Sequence, residues 1–119
     1  MALSRIINFH DAHNPTVQLR STCIVDTGAG ASLANHELFG KFKIGENAEK
    51  LNLTGAFGGD QAYPVGKVSV GVDVDGVLKT FEIYLVKDPN FSIILGNPTI
   101  IMAFLRLKED YLEFKQIIL

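Results

Sequence analysis

Hydrophobic and polar residues alternate with a period of two along most of this chain, and valine, isoleucine, leucine and phenylalanine fill the apolar positions. A period of two places successive side chains on opposite faces of an extended strand. The pattern therefore predicts strands at 4–9, 16–25, 50–54, 62–74, 77–86, 92–95, 104–108 and 111–115. Turn-forming pairs separate them: Asn14-Pro15, Gly58-Gly59, Asp75-Gly76, Asp88-Pro89 and Glu109-Asp110. Asp75-Gly76, between two valine-rich runs, is the clearest hairpin signal, because glycine takes a positive φ at little cost. Helical stretches are expected only at 32–39, with Ser32 or Asn35 as cap, and at 97–103, with Pro98 at the first helical position. The expectation is one mainly β domain over 1–119 with one or two short helices.

Composition narrows the partners. The 119 residues suit a single core. With its 11 glycines counted, the apolar share is slightly above that of an ordinary soluble domain, which points to an apolar interface with another subunit. The net charge is −2 and the 11 basic residues are scattered, so no nucleic-acid footprint is present. The lone Cys23 excludes an internal disulfide and any multi-cysteine zinc site, and reads as a small buried hydrophobe. The longest apolar runs, such as 99–105, fall far short of the ~20 residues of a membrane span, and 1–9 lacks a signal-peptide pattern. Neither nucleic acid nor membrane is an expected partner.

The stretch CIVDTGAGAS, 23–32, sets a carboxylate at the end of an apolar strand and follows it with Thr27-Gly28. The Gly28-x-Gly30 spacing resembles a dinucleotide-binding turn, yet that fingerprint needs a third glycine where Leu33 stands, and a βαβ unit around it. A phosphate loop of the sugar-kinase and actin type also carries Asp-x-Gly after a strand, but in folds several times longer. A third reading presents Asp26 as a catalytic acid: in a strand, Ile24 and Asp26 share one face while Cys23 and Val25 point the other way. Gly28 would then let a ligand backbone approach closely. The plain alternative is a surface aspartate capping a turn.

Two further motifs decide among these readings. Asp26-Thr27-Gly28-Ala29 resembles the active-site motif of the retroviral-type aspartic proteases, the retropepsins and their retrotransposon relatives. Ile93-Ile94-Leu95-Gly96-Asn97 resembles that family's second signature, and Leu53-Thr54-Gly55-Ala56-Phe57-Gly58-Gly59 resembles its glycine-rich flap. All three occur in the family's order over roughly 17–115.

The resemblance implies a closed β-barrel, the acid protease half, active as a homodimer. Hydrolysis of a peptide needs a base to take a proton from water and an acid to protonate the carbonyl oxygen and the leaving amine. Two aspartates a few ångströms apart share a proton and fill both roles. None of Asp11, Asp60, Asp73, Asp75, Asp88 and Asp110 has a matching local motif, so two-fold symmetry would supply the second Asp26. Thr27 is implied to hydrogen-bond across the dimer, and Gly28 to make room for the partner and the substrate. Substrate would lie against Ile24, Ala29, Gly30 and Leu33, with Ser92 and Ile94 on the second signature. The flap, Gly55, Ala56, Phe57, Gly58 and Gly59, would close over an extended peptide or polyprotein, with Thr54 and Phe57 among the pocket-lining residues. No cofactor or metal is implied, and the setting would be intracellular, in a host cytoplasm or virus-like particle.

The chain departs from many retroviral members, which carry acids shortly after the motif and an arginine after the second glycine; Gly30, Ala31 and Asn97 stand there instead. That favours the retrotransposon or pararetrovirus branch; the apolar end at 113–119 is either the main interface strand or a frayed tail. The rival from another class is a non-catalytic dimerisation or peptide-binding module of the same fold in a cellular protein. The remaining candidates read as structural: Asp73 to Gly76 as a hairpin turn rather than a calcium loop, His10 and His13 as turn residues beside Asn14-Pro15, and His36 on the exposed side of a short helix.

Overall fold

The computed structural model describes residues 2–26, 28–46, 51–52, 61–62, 64–74 and 76–96. Two long hairpins carry the architecture. Strand β1 (Ala2–Asp11) pairs antiparallel with β2 (Gln18–Asp26), in register from His10↔Gln18 to Ala2↔Asp26. Its turn is fastened by Asp11 N–H donating to Val17 O and Val17 N–H to Asn14 O, both 2.9 Å. His10 Nδ1 lies 2.9 Å from the Pro15 carbonyl in the same turn. The second hairpin joins β7 (Gly66–Val74) to β8 (Val77–Val86), with Val74↔Val77 closing a two-residue loop. Gly76 sits there at φ 81°, its N–H donating to Asp73 Oδ1 at 2.8 Å, as the Asp75-Gly76 signal predicts.

Short strands close these hairpins into a barrel. Strands β3 (Leu33–Asn35) and β9 (Ile93–Leu95) lie side by side between β2 and β8. The order β1-β2-β9-β3-β8-β7 returns to β1 through His10↔Gly71 and Asp11↔Val70. The result is a mainly β, closed six-stranded barrel. Strand β4 (Ile44–Gly45) pairs with β7 on the side that β1 joins, at Val68 and Lys67 next to the β1 contact, while β5 (Leu51–Asn52) and β6 (Gln61–Ala62) form a separate pair.

The residues of the core cluster are apolar. Phe9, Cys23, Val25, Val68, Val70, Ile83, Leu85, Ile93 and Leu95 are all buried in one cluster. Phe9 meets Phe39 and Phe81 edge-on at ring separations of 6.1 and 6.4 Å, and Phe39 meets Phe42 at 4.9 Å. Such edge-to-face pairs contribute about 0.5–1.5 kcal/mol each beyond their buried area. Cys23 is fully buried, as expected, and burial pushes its thiol up to about 12.

The structure corrects the strand and helix boundaries where tertiary pairing competes with local pattern. The stretch 32–39 divides: Leu33 to Asn35 pair with β8 and β9, and only His36–Phe39 forms a helix, of 3-10 type. Asn35 is its cap, its side-chain oxygen accepting from Glu37 N–H at 3.1 Å. His36 is half-buried rather than exposed, with its Nδ1 enclosed and without a hydrogen-bond partner among the described residues. The predicted strand 62–74 is broken before Gly66 near Pro64, which has no N–H for a ladder, and β6 pairs elsewhere. Strand β4, two residues long, has too little alternation to be read from sequence. The strands expected at 104–108 and 111–115, the helix at 97–103 and the interface strand at 113–119 lie outside the described residues.

A buried carboxylate ties the loops at one end of the barrel together. Asp11 is only 2% exposed, and its two oxygens accept from His13 N–H and Lys43 N–H, each at 2.8 Å. Burial pushes its carboxyl up, but those backbone donors and the nearby His13 outweigh it and hold Asp11 below the ordinary value of 3.8. A depressed folded-state value means stability that is present above 3.8 and lost as pH falls through the lower value. Asp11→Asn should cost about 2 kcal/mol in denaturant melts at pH 7, with the gap to wild type closing below pH 3.8. An unchanged gap at low pH would show that the charge is not what holds the loops. Cys23 should stay unreactive toward a thiol reagent at pH 8 until the barrel unfolds, at a rate that follows unfolding rather than reagent concentration.

Candidate active site

Strand β2 ends on Asp26, and its alternation fixes where that carboxylate sits. Cys23 and Val25 are sealed in the core, whereas Ile24 and Asp26 are half-buried on the opposite face. Beyond the strand the chain turns sharply. Asp26 Oδ1 accepts from Gly28 N–H at 2.9 Å, and Ala29 N–H donates to the Asp26 carbonyl at 3.1 Å. The side chain is thereby tied to the loop that follows it. A Cβ built on Gly28 would lie 3.3 Å from Asp26 Oδ1, so this glycine leaves the carboxylate its position.

The second signature runs alongside. Strand β9 pairs parallel with β2 through Ile24↔Ile94 and Val25↔Leu95, and antiparallel with β3 through Leu33↔Ile94. Directly paired residues share a face, so Ile24, Ile94 and Leu33 form one apolar row next to Asp26. Leu33 and Ile94 are 2% and 6% exposed although neither belongs to the barrel's core cluster. Ser92 is exposed two residues before Ile94, and its carbonyl accepts from Asn35 N–H at 2.9 Å.

Gly96 then locks the two segments together. Its N–H donates to Ser32 Oγ at 3.0 Å, and Ser32, 3% exposed, also accepts at its carbonyl from Tyr84 N–H at 2.9 Å. A Cβ on Gly96 would fall 2.4 Å from Ala31 O, 2.7 Å from Ala31 C and 2.9 Å from Ala29 O. All three atoms are backbone of the loop that follows Asp26, so no rotamer change relieves the overlap. The second signature includes Gly96, but its clamp on Ser32 is not legible in the sequence; a serine in a loop carries no periodic signal, and its partner is 64 residues away.

Of the residues expected in the site, Ile24, Asp26, Gly28, Leu33 and Ile94 are brought together on adjoining strands and their turn. Within the loop, Ala29 is buried and Gly30 is exposed with open space around it. Thr27 and the segment Thr54, Gly55, Ala56, Phe57 and Gly58 lie outside the described residues. Chemically, the arrangement offers one oriented carboxylate with backbone N–H support beside an apolar row. No protein-family model matches the chain, and no curated protein sequence matches it significantly.

Gly96→Ala should lower stability by about 3 kcal/mol or displace the Asp26 loop, whereas Gly30→Ala, in open space, should shift the melting temperature little. Equal effects of the two alanines would contradict the close approach at Gly96.

Proposed function

We propose that this chain is an aspartic endopeptidase of the retropepsin type, acting as a symmetric homodimer on extended peptides or a polyprotein of viral or retroelement origin. The observation that carries the reading is the spatial meeting of the two signatures. Asp26-Thr27-Gly28 and Ile93 to Gly96 are far apart in sequence, yet Ile24↔Ile94, Val25↔Leu95 and the Ser32–Gly96 hydrogen bond set them edge to edge.

In this mechanism the two Asp26 carboxylates face each other across the two-fold axis and hold one proton between them. The ionised member takes a proton from water as that water attacks the scissile carbonyl. The protonated member donates to the carbonyl oxygen, and the proton then passes to the leaving amine as the C–N bond breaks. Gly28 N–H, donating to Asp26 Oδ1, keeps one oxygen of each carboxylate fixed while the other faces the water. The row of Ile24, Leu33 and Ile94 favours apolar side chains beside the cleaved bond. Thr27 bridging the subunits and closure by 53–59 belong to the same proposal.

The test is cleavage of a mixed peptide library at about pH 4–6. Wild type should cut beside apolar residues, Asp26→Asn should lose at least ~10³ of that rate, and the statine-type inhibitor pepstatin should suppress it. Specific activity should rise with protein concentration as the dimer forms. A dimer in sedimentation that cuts nothing would replace this reading with a binding module.

A further inference from the structure

On the outer face of the barrel, away from the residues of the Asp26 site, lies a cavity of about 200 Å³ lined by His13, Lys43, Ile44, Gly45, Lys67, Ser69 and Glu82. Three separate segments meet there: the turn after β1, the chain entering β4, and the outward positions of β7 with their neighbour on β8. Their meeting is enforced from behind. The Asp11 carboxylate binds the backbone N–H of both His13 and Lys43, and Ala12 N–H donates to Ser69 O at 3.0 Å. The positions of the two basic residues are thus fixed by a buried anchor that uses none of their side-chain donors.

The lining carries an excess of donors. Lys67 pairs with Glu82 at 3.2 Å, which neutralises the acid and holds the ammonium at the cavity. Lys43 Nζ and Ser69 Oγ have no hydrogen bond or ion pair among the described residues, and the His13 ring has only its electrostatic attraction to Asp11 among them. With Glu82 in the lining and the Asp11 carboxylate behind it balancing Lys67 and Lys43 in charge, the pocket still offers a ligand an unused ammonium, an unused hydroxyl and an imidazole. Donors on separate segments suit an anion whose acceptors point several ways, as in a tetrahedral phosphate, better than a flat carboxylate.

We propose that this cavity is a binding site for a phosphoryl group, held by Lys43, Lys67, Ser69 and His13. The proposal does not depend on the peptidase reading, since no residue of the Asp26 site lines the cavity.

The experiment is a titration of the full chain with inorganic phosphate against chloride at constant ionic strength, followed by amide chemical shifts. Saturable shifts are expected at His13, Lys43, Gly45 and Ser69. Lys43→Ala should weaken binding roughly tenfold without unfolding, because the N–H that Asp11 uses remains. Ser69→Ala, which changes no charge, should weaken it several-fold, and Glu82→Gln should tighten it. Lys79→Ala, outside the cavity, should change nothing. A parallel titration with a short phosphoserine peptide identifies the source: tighter binding than phosphate means a phosphorylated chain, equal binding a free ion, and either keeps the site. Shifts that grow linearly with phosphate, or a Lys43 effect with no Ser69 effect, would reduce the pocket to general charge attraction and overturn the proposal.

Discussion

The close approach of Gly96 to the backbone of Ala29 and Ala31, sealed by its hydrogen bond to Ser32 Oγ, is the contact on which the geometry around Asp26 depends. A strand that ends in a free loop leaves its last side chain to wander. Here the loop is pinned from the far side by a segment 64 residues on, at distances only a hydrogen at Cα permits. The parallel ladder of β2 and β9 brings the two segments to that point, and Gly28 N–H finishes the task by holding one Asp26 oxygen. The carboxylate is therefore oriented before any ligand arrives, which is the condition under which fixed charges assist chemistry most.

The barrel that supports this contact is secured at two places by different physics. Around the core, alternating apolar side chains and edge-to-face phenylalanines exclude water without directional demands. At the seam between β1 and β7 the ladder is only two residue pairs long, His10↔Gly71 and Asp11↔Val70. There Asp11 compensates: its charge, satisfied by two backbone donors, joins the β1–β2 turn to the chain entering β4. A buried carboxylate costs much unless it is paired, so the same group that secures the loops also makes that end of the molecule sensitive to acid.

A single oriented carboxylate is half of an acid–base pair. The proposed reading obtains the other half by symmetry, which is economical for a short chain: one motif and one clamp, used twice, supply both proton-transfer roles. The donor-lined cavity beyond the β1–β2 turn shares its anchor, Asp11, with the barrel seam and none of its side chains with the Asp26 row.

What the sequence determined was local. Period-two alternation announced the long strands β1, β2, β7 and β8, Asp75-Gly76 their tightest turn, and the spacing within β2 placed Ile24 and Asp26 on the face away from Cys23 and Val25. These follow from each residue's own backbone preference and the geometry of one strand. The short strands β3, β4 and β9 are different. Three residues such as Leu33 to Asn35 carry too little pattern to outweigh a helical reading, and they are extended because β8 and β9 present free edges to them. In the sequence Ser32 is a candidate helix cap and Asp11 an aspartate without a motif, yet folding encloses both beside backbone donors from distant segments. Only the tertiary structure decided those roles, because a hydrogen bond between residues 32 or 64 positions apart leaves no trace in local spacing.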